Sequence, residues 1–285
     1  MKIEKYLIDG FKQRYGDKTP EFVPDPRNHL VITNYKADNF IGPPEKRKGF
    51  AYWKLGKRYK LDDGSPKYTS DDGSLRSSQA FAYNIFSNVP GVKFEVQLQA
   101  IDRPAQVDVM LAEGKTSHLF EVKALEIMSS EKVKFRDAYN YICSYRTEYA
   151  QQYMEFIKRV KRRFNEEDSQ VYGGGVKQLC CHLLGILQEM NNGELKDFST
   201  IKFYSLCLDE EFSPQFAVRL KKYRETLEAF AGLVREYLQG IGQDHRIEYC
   251  GYIGASDYIK EHRVLIGEEN YEYVKNRYFY VKQLL

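Results

Sequence analysis

Two stretches of alternating apolar and polar residues, joined by a short polar segment, constrain the fold more than any other feature of this sequence. Both lie between Gln106 and Glu126. In the first stretch every second residue from Val107 to Leu111 is apolar, which is the period of a β-strand. Glu113 to Thr116 has the composition of a tight turn, and the alternation resumes from Leu119 to Ala124. The segment therefore predicts an antiparallel hairpin.

This hairpin brings acidic side chains to one face of the sheet. A reversal centred between Gly114 and Lys115 places Asp108 opposite Glu121, with Cβ atoms roughly 4.5–5.5 Å apart. Lys123 follows Glu121 by two residues and therefore points to the same side. Two opposed carboxylates repel unless a cation lies between them, and their hard oxygen atoms suit Mg²⁺ or Mn²⁺. The pattern predicts a divalent metal site beside a lysine, which is suited to phosphodiester hydrolysis.

A third acidic residue belongs to the strand expected before the hairpin. Val92 to Gln99 alternates in the same way, and a symmetrical reversal about Ile101-Asp102 places Glu95 opposite Asp108. Three carboxylates in a row on one face repel strongly without a cation. A one-residue bulge, however, turns Glu95 to the other face, and alternating Glu and Lys residues also keep an exposed edge soluble. From the sequence alone both interpretations are open.

Asp108 is followed after twelve residues by Glu121-Val122-Lys123, and this spacing resembles the D-x(n)-E-x-K motif of the PD-(D/E)XK, or restriction-endonuclease-like, nuclease superfamily. That family places its Asp on one strand and its ExK on the next strand of an antiparallel meander, which agrees with the predicted hairpin. Val107 stands in place of the proline that gives the family its name. The proline supplies no ligand, so the resemblance in the chemical residues is intact.

The resemblance implies a role for each residue of the motif. Asp108 and Glu121, with the main-chain carbonyl of Val122, are expected to hold Mg²⁺ or Mn²⁺. Lys123 is expected to orient or deprotonate the attacking water and to offset charge on the phosphate. Glu95 is expected to bind a second ion or a metal-bound water. The expected catalytic set is therefore Asp108, Glu121, Lys123 and Glu95, with Val122 as an additional metal ligand.

A helix is predicted before the meander, where the family's core begins. Leu75 to Val89 has apolar residues at helical spacing, Asp71 to Ser74 precedes it as a cap, and Pro90-Gly91 ends it. The family's first helix often lends an acid to the site, but this segment contains none. Gln79 is the best substitute, and Arg76, one turn away, is a second candidate for binding substrate.

Two helical regions are predicted after the meander. The first, Glu131 to Phe164, ends in the basic run 158–163, whose cations either favour the helix dipole or contact phosphate. The second is Val176 to Met190. Tyr172 and Gln178 at its start resemble the Gln-bearing helix of RecB-like branches of the superfamily, where the Gln lines the site. A Gln in the first turns of a helix is also commonly solvated, so both interpretations are open.

The order of elements predicts an α/β protein with a restriction-endonuclease-like core: a helix, an antiparallel three-strand meander, helices and a fourth strand. This core is expected over residues 74–210, with Thr200 to Leu208 as the fourth strand beside the meander. Residues 1–73 are expected to form an N-terminal extension. Residues 211–285 are expected to form a C-terminal helix–strand addition packed on the core, with Phe216 to Leu238 as its helix.

Composition limits the partners and the compartment. The 285 residues carry a net charge of only +3, so a nucleic-acid-binding surface must be local. No secretory h-region and no run of about 18 apolar residues is present. The five cysteines lack CxxC spacing and indicate reduced thiols, and Cys180-Cys181-His182 has no second ligand pair for zinc. We expect a cytoplasmic protein that does not contact a membrane.

Together these features predict a Mg²⁺-dependent nuclease acting on DNA, in restriction or defence, repair or mobile-element biology. The alternative is a catalytically silent nucleic-acid-binding or assembly protein with the same fold. The lack of an acid in the first helix favours this alternative, whereas the intact Asp108, Glu121 and Lys123 argue against it. No motif indicates sequence specificity, endonuclease or exonuclease action, or oligomeric state, because recognition elements vary freely on one fold.

Overall fold

A computed structural model of the chain describes a five-stranded mixed sheet flanked by helices. It also contains two short antiparallel hairpins near the N-terminus: β1 (Phe22–Pro24) with β2 (Leu30–Ile32), and β3 (Arg58–Lys60) with β4 (Pro66–Tyr68). The residues that the structure describes are 8–9, 12, 22–24, 30–32, 41, 58–60, 66–68, 77–101, 104–125, 127, 132–135, 139, 149–167, 173–211 and 213–279.

The main sheet has its strands in chain order: β5 (Lys93–Leu98), β6 (Ala105–Glu113), β7 (Thr116–Lys123), β8 (Thr200–Cys207) and β9 (Ile247–Gly254). Strands β5, β6 and β7 are antiparallel, whereas β8 and β9 continue the sheet parallel to β7. The predicted α/β class is therefore confirmed. The predicted fourth strand lies beside the meander, and β9 extends the same sheet.

The predicted register of the hairpin is confirmed. Val109 pairs with Phe120 and Glu113 pairs with Thr116, which is the pairing of a reversal centred between Gly114 and Lys115. Gly114 has a φ of +57°, a backbone conformation that glycine adopts without steric cost at the first position of a two-residue turn. The same register, continued by one residue, brings the Asp108 and Glu121 positions level.

The register between β5 and β6 is also the predicted one. Phe94 pairs with Val109 and Val96 pairs with Val107, so no residue is inserted between these two pairs. Glu95 and Asp108 therefore occupy the intervening opposed positions. The ladder of backbone pairs skips this position, and Glu95 has a φ of +53°. Its backbone is locally distorted without the one-residue shift of a bulge.

Helices cover both faces of the sheet, and their bounds are α1 (Ser78–Phe86), α2 (Ala150–Arg162, continued by a π-helical turn at Arg163–Glu167), α3 (Gly173–Asn192), α4 (Pro214–Gly240), α5 (Ala255–Glu261), α6 (Arg263–Ile266) and α7 (Glu268–Tyr278). Helix α3 packs on β5 and β6, α4 packs on β9, and α1 packs on β6, β7 and α7. Phe86 of α1 contacts Phe120 of β7, with ring centroids 5.2 Å apart.

Two helix starts differ from the prediction. Helix α1 begins at Ser78 and not at Leu75, because the Ser77 hydroxyl accepts a hydrogen bond from the amide of Ala80 and caps the helix there. Helix α3 begins at Gly173, so the three glycines form its first turn and do not precede it. Beyond the helix and strand expected for residues 211–285, this region also forms the helices α5, α6 and α7.

The predicted helical region Glu131 to Phe164 is confirmed from Ala150 onward but not for residues 132–135. Residues 132–135 are not helical, and the helix begins at Ala150. Asn165 explains part of the difference, because its side chain bonds both the amide (2.8 Å) and the carbonyl (3.0 Å) of Val133. These bonds satisfy the backbone of Val133 outside a helix and hold the segment against the end of α2.

No helix in the part of the chain that the structure describes has the length and the apolar composition to cross a membrane.

Candidate active site

Glu121 and Lys123 form a buried ion pair near the end of β7. The Lys123 Nζ donates to Glu121 Oε1, and only 4% of Lys123 and 1% of Glu121 are exposed. Lys123 Nζ also donates to the side-chain oxygen of Gln178 at 2.8 Å. The two residues thus lie on the same face of the strand, as the alternation predicts. A buried charge pair of this kind is stable only with such additional hydrogen bonds.

Helix α3 presents two polar side chains to this pair. Gln178 and His182 are four residues apart and therefore lie on one face of the helix. His182 Nε2 is 2.9 Å from the main-chain oxygen of Gln106, a contact that requires the proton to be on Nε2, and is 3.3 Å from Glu121 Oε2. Burial lowers the pKa of His182, although the charge of Glu121 acts in the opposite direction. The lowered pKa keeps the ring neutral at pH 7.

Asp108 completes an acidic group with Glu121 and Glu95. Its Oδ2 accepts a hydrogen bond from the main-chain amide of Val122 at 2.6 Å, which attaches the side chain to β7. Burial raises the pKa of Asp108 well above its usual range; the charges of Glu121 and Glu95 raise it further, and Lys123 only partly opposes them. Asp108 therefore lies close enough to both other carboxylates for their charges to disfavour its ionisation.

Glu95 is held in this group by α1. Its Oε1 accepts a hydrogen bond from the Gln79 side-chain amide at 3.0 Å. The positive φ of Glu95 is uncommon for a residue with a side chain, and within the described residues Glu95 alone among the non-glycine residues adopts it. Backbone conformations of this kind cost about 1–3 kcal/mol and occur often at functional sites. Glu95 is also buried, at 7% exposure.

The donor set fits a divalent cation bound through few protein ligands. Glu121 Oε2 is buried and receives no hydrogen bond, because the His182 proton is directed to Gln106. A hard cation would satisfy this oxygen and reduce the repulsion that raises the pKa of Asp108. In the described part of the chain no three His, Cys, Asp or Glu side chains form a complete metal site. Mg²⁺ needs only one or two carboxylates with water, so Asp108 and Glu121 suit it.

The structure therefore brings most of the predicted residues together. Asp108, Glu121, Lys123 and Glu95 form the acidic group and its lysine, Gln79 contacts Glu95, and Gln178 contacts Lys123. Val122 contributes an amide to Asp108. Arg76 and Tyr172 lie outside the described residues. The described cysteines are free thiols: Cys180, Cys181, Cys207 and Cys250.

Sequence reasoning missed His182, which was considered only as a zinc ligand with its neighbouring cysteines. Its helical spacing from Gln178 was the available signal, because residues four apart share one helix face. The contact with Glu121 depends on how α3 lies on the sheet, which spacing alone does not reveal.

Comparisons of the chain with protein-family models, with curated proteins and with solved structures found no match. The functional argument therefore depends on the chemistry of the site.

Proposed function

We propose that this chain is a metal-dependent nuclease that hydrolyses phosphodiester bonds in DNA. The observation that carries the proposal is the convergence of Asp108 and Glu121 from neighbouring strands, with Lys123 bonded to Glu121 on the same face. Carboxylates that repel each other beside a lysine have little value for packing, whereas they suit a cation and a phosphate.

The arrangement of elements supports a restriction-endonuclease-like core. Helix α1, the meander β5 to β7, helix α3 and strand β8 follow in the order expected for that core, and β8 is parallel to β7. The ExK residues lie at the end of the third meander strand, where the family has them. The resemblance in the motif and the order of elements point to the same chemistry.

Mg²⁺ or Mn²⁺ would be held by Asp108, Glu121 and the main-chain carbonyl of Val122, with Glu95 nearby. Bound there, the cation supplies Lewis-acid polarisation of a phosphate oxygen and lowers the pKa of a bound water. Asp108 is oriented toward this role by the amide of Val122. Gln79 positions Glu95 at the side of the same group.

Lys123 supplies the positive charge of the protein at this site. Its ammonium is oriented by Glu121 and Gln178, so it can donate to a phosphate oxygen or to the attacking water without further ordering. Water forms the new P–O bond while one ester P–O bond breaks, and the leaving oxygen ends protonated. Lys123 stabilises the negative charge that develops on the phosphorus oxygens during this exchange.

The burial of the ion pair favours a second candidate function. Lys123 and Glu121 neutralise each other and are almost fully enclosed, and α1 presents Gln79 where the family often has an acid. A nucleic-acid-binding protein that has lost turnover accounts for both observations. Gln178 is exposed, which favours catalysis because it gives the site an open side.

Nicking of supercoiled plasmid with Mg²⁺ or Mn²⁺ tests the proposal. The wild type and the control Lys196→Ala, at the amino end of β8, should nick equally, and Lys123→Ala should lose about 100-fold or more in rate. Equal, metal-independent background in all three proteins would refute hydrolysis and support the silent binder. Cleavage of RNA and not DNA in the same assay would change the substrate.

A further inference from the structure

A cluster of basic side chains lies on two helices and on residues 132–135, outside the candidate site. We define the basic surface as Lys132, Lys134, Lys161, Arg162, Lys221 and Arg224. All six are at least partly exposed. The net charge of the whole chain is only +3, so binding of a polyanion depends on local groups of cations such as this one.

The first half of the basic surface joins the end of α2 to the segment that follows β7. Asn165 bonds the amide and the carbonyl of Val133, at 2.8 and 3.0 Å. Lys161 lies over the ring of Phe135, with its Nζ 5.5 Å from the ring centroid. These contacts place Lys132 and Lys134 beside the basic end of α2.

The second half lies on α4, which runs antiparallel to α2. Gln243, just after α4, donates to the Tyr149 hydroxyl at the start of α2, at 2.9 Å. Further along, the Tyr153 ring is 6.0 Å from that of Tyr237, and Phe156 is 6.1 Å from Phe230. Because the two helices run in opposite directions, the basic C-terminal end of α2 lies toward the N-terminal half of α4, which carries Lys221 and Arg224.

The N-terminal half of α4 lies near the C-terminal ends of the parallel strands, where Lys123 is also found. Lys123 pairs with Cys207, and Cys207 pairs with Gly254, so the three residues end adjacent parallel strands. The guanidinium of Arg224 lies over the ring of Tyr252, two residues before that end, 4.6 Å from its centroid. Two strand spacings, or about 10 Å, therefore separate Lys123 from the strand beneath Arg224.

We propose that the basic surface binds the phosphate backbone of a nucleic-acid polymer, at phosphates that flank the diester bond to be cleaved. This inference rests on the proposed function, because it assumes that Lys123 marks the reacting phosphate. It deepens that function by assigning the side chains that hold the polymer beyond the bond that is cleaved. A mononucleotide or an isolated diester bound at Lys123 does not reach Lys134 or Lys221, so the basic surface contributes nothing to its binding.

Equilibrium binding tests the inference without requiring turnover. Fluorescence anisotropy is measured with a labelled DNA duplex of about 30 base pairs, long enough to extend past the site, in EDTA across a range of salt concentrations. The test variant combines Lys134→Gln, Arg162→Gln and Lys221→Gln. The control variant removes the same number of positive charges near the N-terminal ends of β7 and β8, through Lys115→Gln, Lys196→Gln and Lys202→Gln. Thermal melts confirm that both variants fold.

The test variant should bind about tenfold more weakly at low salt, and the slope of log K against log salt should fall by about 2–3, close to one for each phosphate contact removed. The control should match the wild type. Equal binding by both variants, or no binding by the wild type, overturns the inference. If binding behaves as expected but the wild type and Lys123→Ala show only the same metal-independent background of nicking, the nuclease function fails and the basic surface stands.

Discussion

The side-chain oxygen of Gln178 accepts a hydrogen bond from Lys123 Nζ at 2.8 Å, which links the second turn of α3 to the end of β7. The lysine is therefore oriented from two directions, by Glu121 on its own strand and by a helix that follows much later in the chain. A flexible ammonium loses conformational freedom when it is positioned. In this protein folding fixes Lys123 before any substrate binds.

Gln178→Ala should lower the rate of plasmid nicking because Lys123 loses one of its orienting partners. We expect a loss of about tenfold, smaller than the loss for Lys123→Ala, since the ammonium itself remains. Lys177→Ala changes the adjacent residue of the same helix and serves as the control. A Gln178→Ala rate equal to that of Lys177→Ala would show that the hydrogen bond has no part in catalysis.

Asp108→Asn should stabilise the metal-free protein at neutral pH while it abolishes nicking. The pKa of Asp108 is raised in the folded state, so its contribution to stability is present at low pH and is lost as pH rises through the folded pKa. Asparagine removes the ionisation and can still accept from Val122. The free energies of unfolding should agree below about pH 4 and diverge above it, with the variant more stable by about 1 kcal/mol or more.

Chemical denaturation in EDTA, repeated across pH, measures this difference. Added Mg²⁺ should stabilise the wild type and reverse the order of the two proteins, because binding to the native state adds to its stability. Asp197→Asn, an exposed acid in the turn before β8, is the control and should follow the wild type at every pH. A variant less stable than the wild type at pH 7 without metal would contradict the crowding of carboxylates.

Glu95→Gln should weaken Mg²⁺ binding without disturbing the hydrogen bond from Gln79. The glutamine oxygen can replace Glu95 Oε1 as acceptor, so the main change is the loss of one negative charge near Asp108. We expect a loss of affinity of about threefold to tenfold, or about 1 kcal/mol. Calorimetric titration with Mg²⁺ measures it, and Glu194→Gln, an exposed acid after α3, is the control. Unchanged affinity would place Glu95 outside the metal site.

The hairpin at the centre of the site could be predicted because its information is local. A period of two and a glycine turn fix the register, and the register fixes which side chains oppose each other. The pairing of Val109 with Phe120 shows that this reasoning held for β6 and β7. It also held for β5, although the distorted backbone of Glu95 could not be predicted from alternation.

The parts that could not be predicted depend on contacts between distant segments. His182 reaches Glu121 only because α3 crosses the sheet at one position. Residues 132–135 lie within the predicted helical region but are held outside a helix by Asn165, about 30 residues later. Apolar periodicity reports that a segment is amphipathic, whereas these contacts decide where its backbone hydrogen bonds are made.

The close packing of α3 on the sheet leads to a last prediction. It tests the packing that positions Gln178 and His182. Gly185 lies on α3 so close to the sheet that a Cβ added there would be 2.7 Å from the Cβ of Leu98 and 3.4 Å from that of Ala105. Both neighbours are on paired strands and cannot move without displacing the backbone. Gly185→Ala should therefore lower the free energy of unfolding by about 1–3 kcal/mol.

Gly232→Ala is the matched control because Gly232 lies within α4 and an added Cβ meets nothing within 4 Å. Alanine is the better helix former, so this variant should gain about 0.5–1 kcal/mol in chemical denaturation. Because α3 also carries Gln178 and His182, Gly185→Ala should in addition slow nicking under conditions where the protein remains folded, and Gly232→Ala should not. Equal stabilisation by both substitutions would mean that α3 lies farther from β5 than the structure places it.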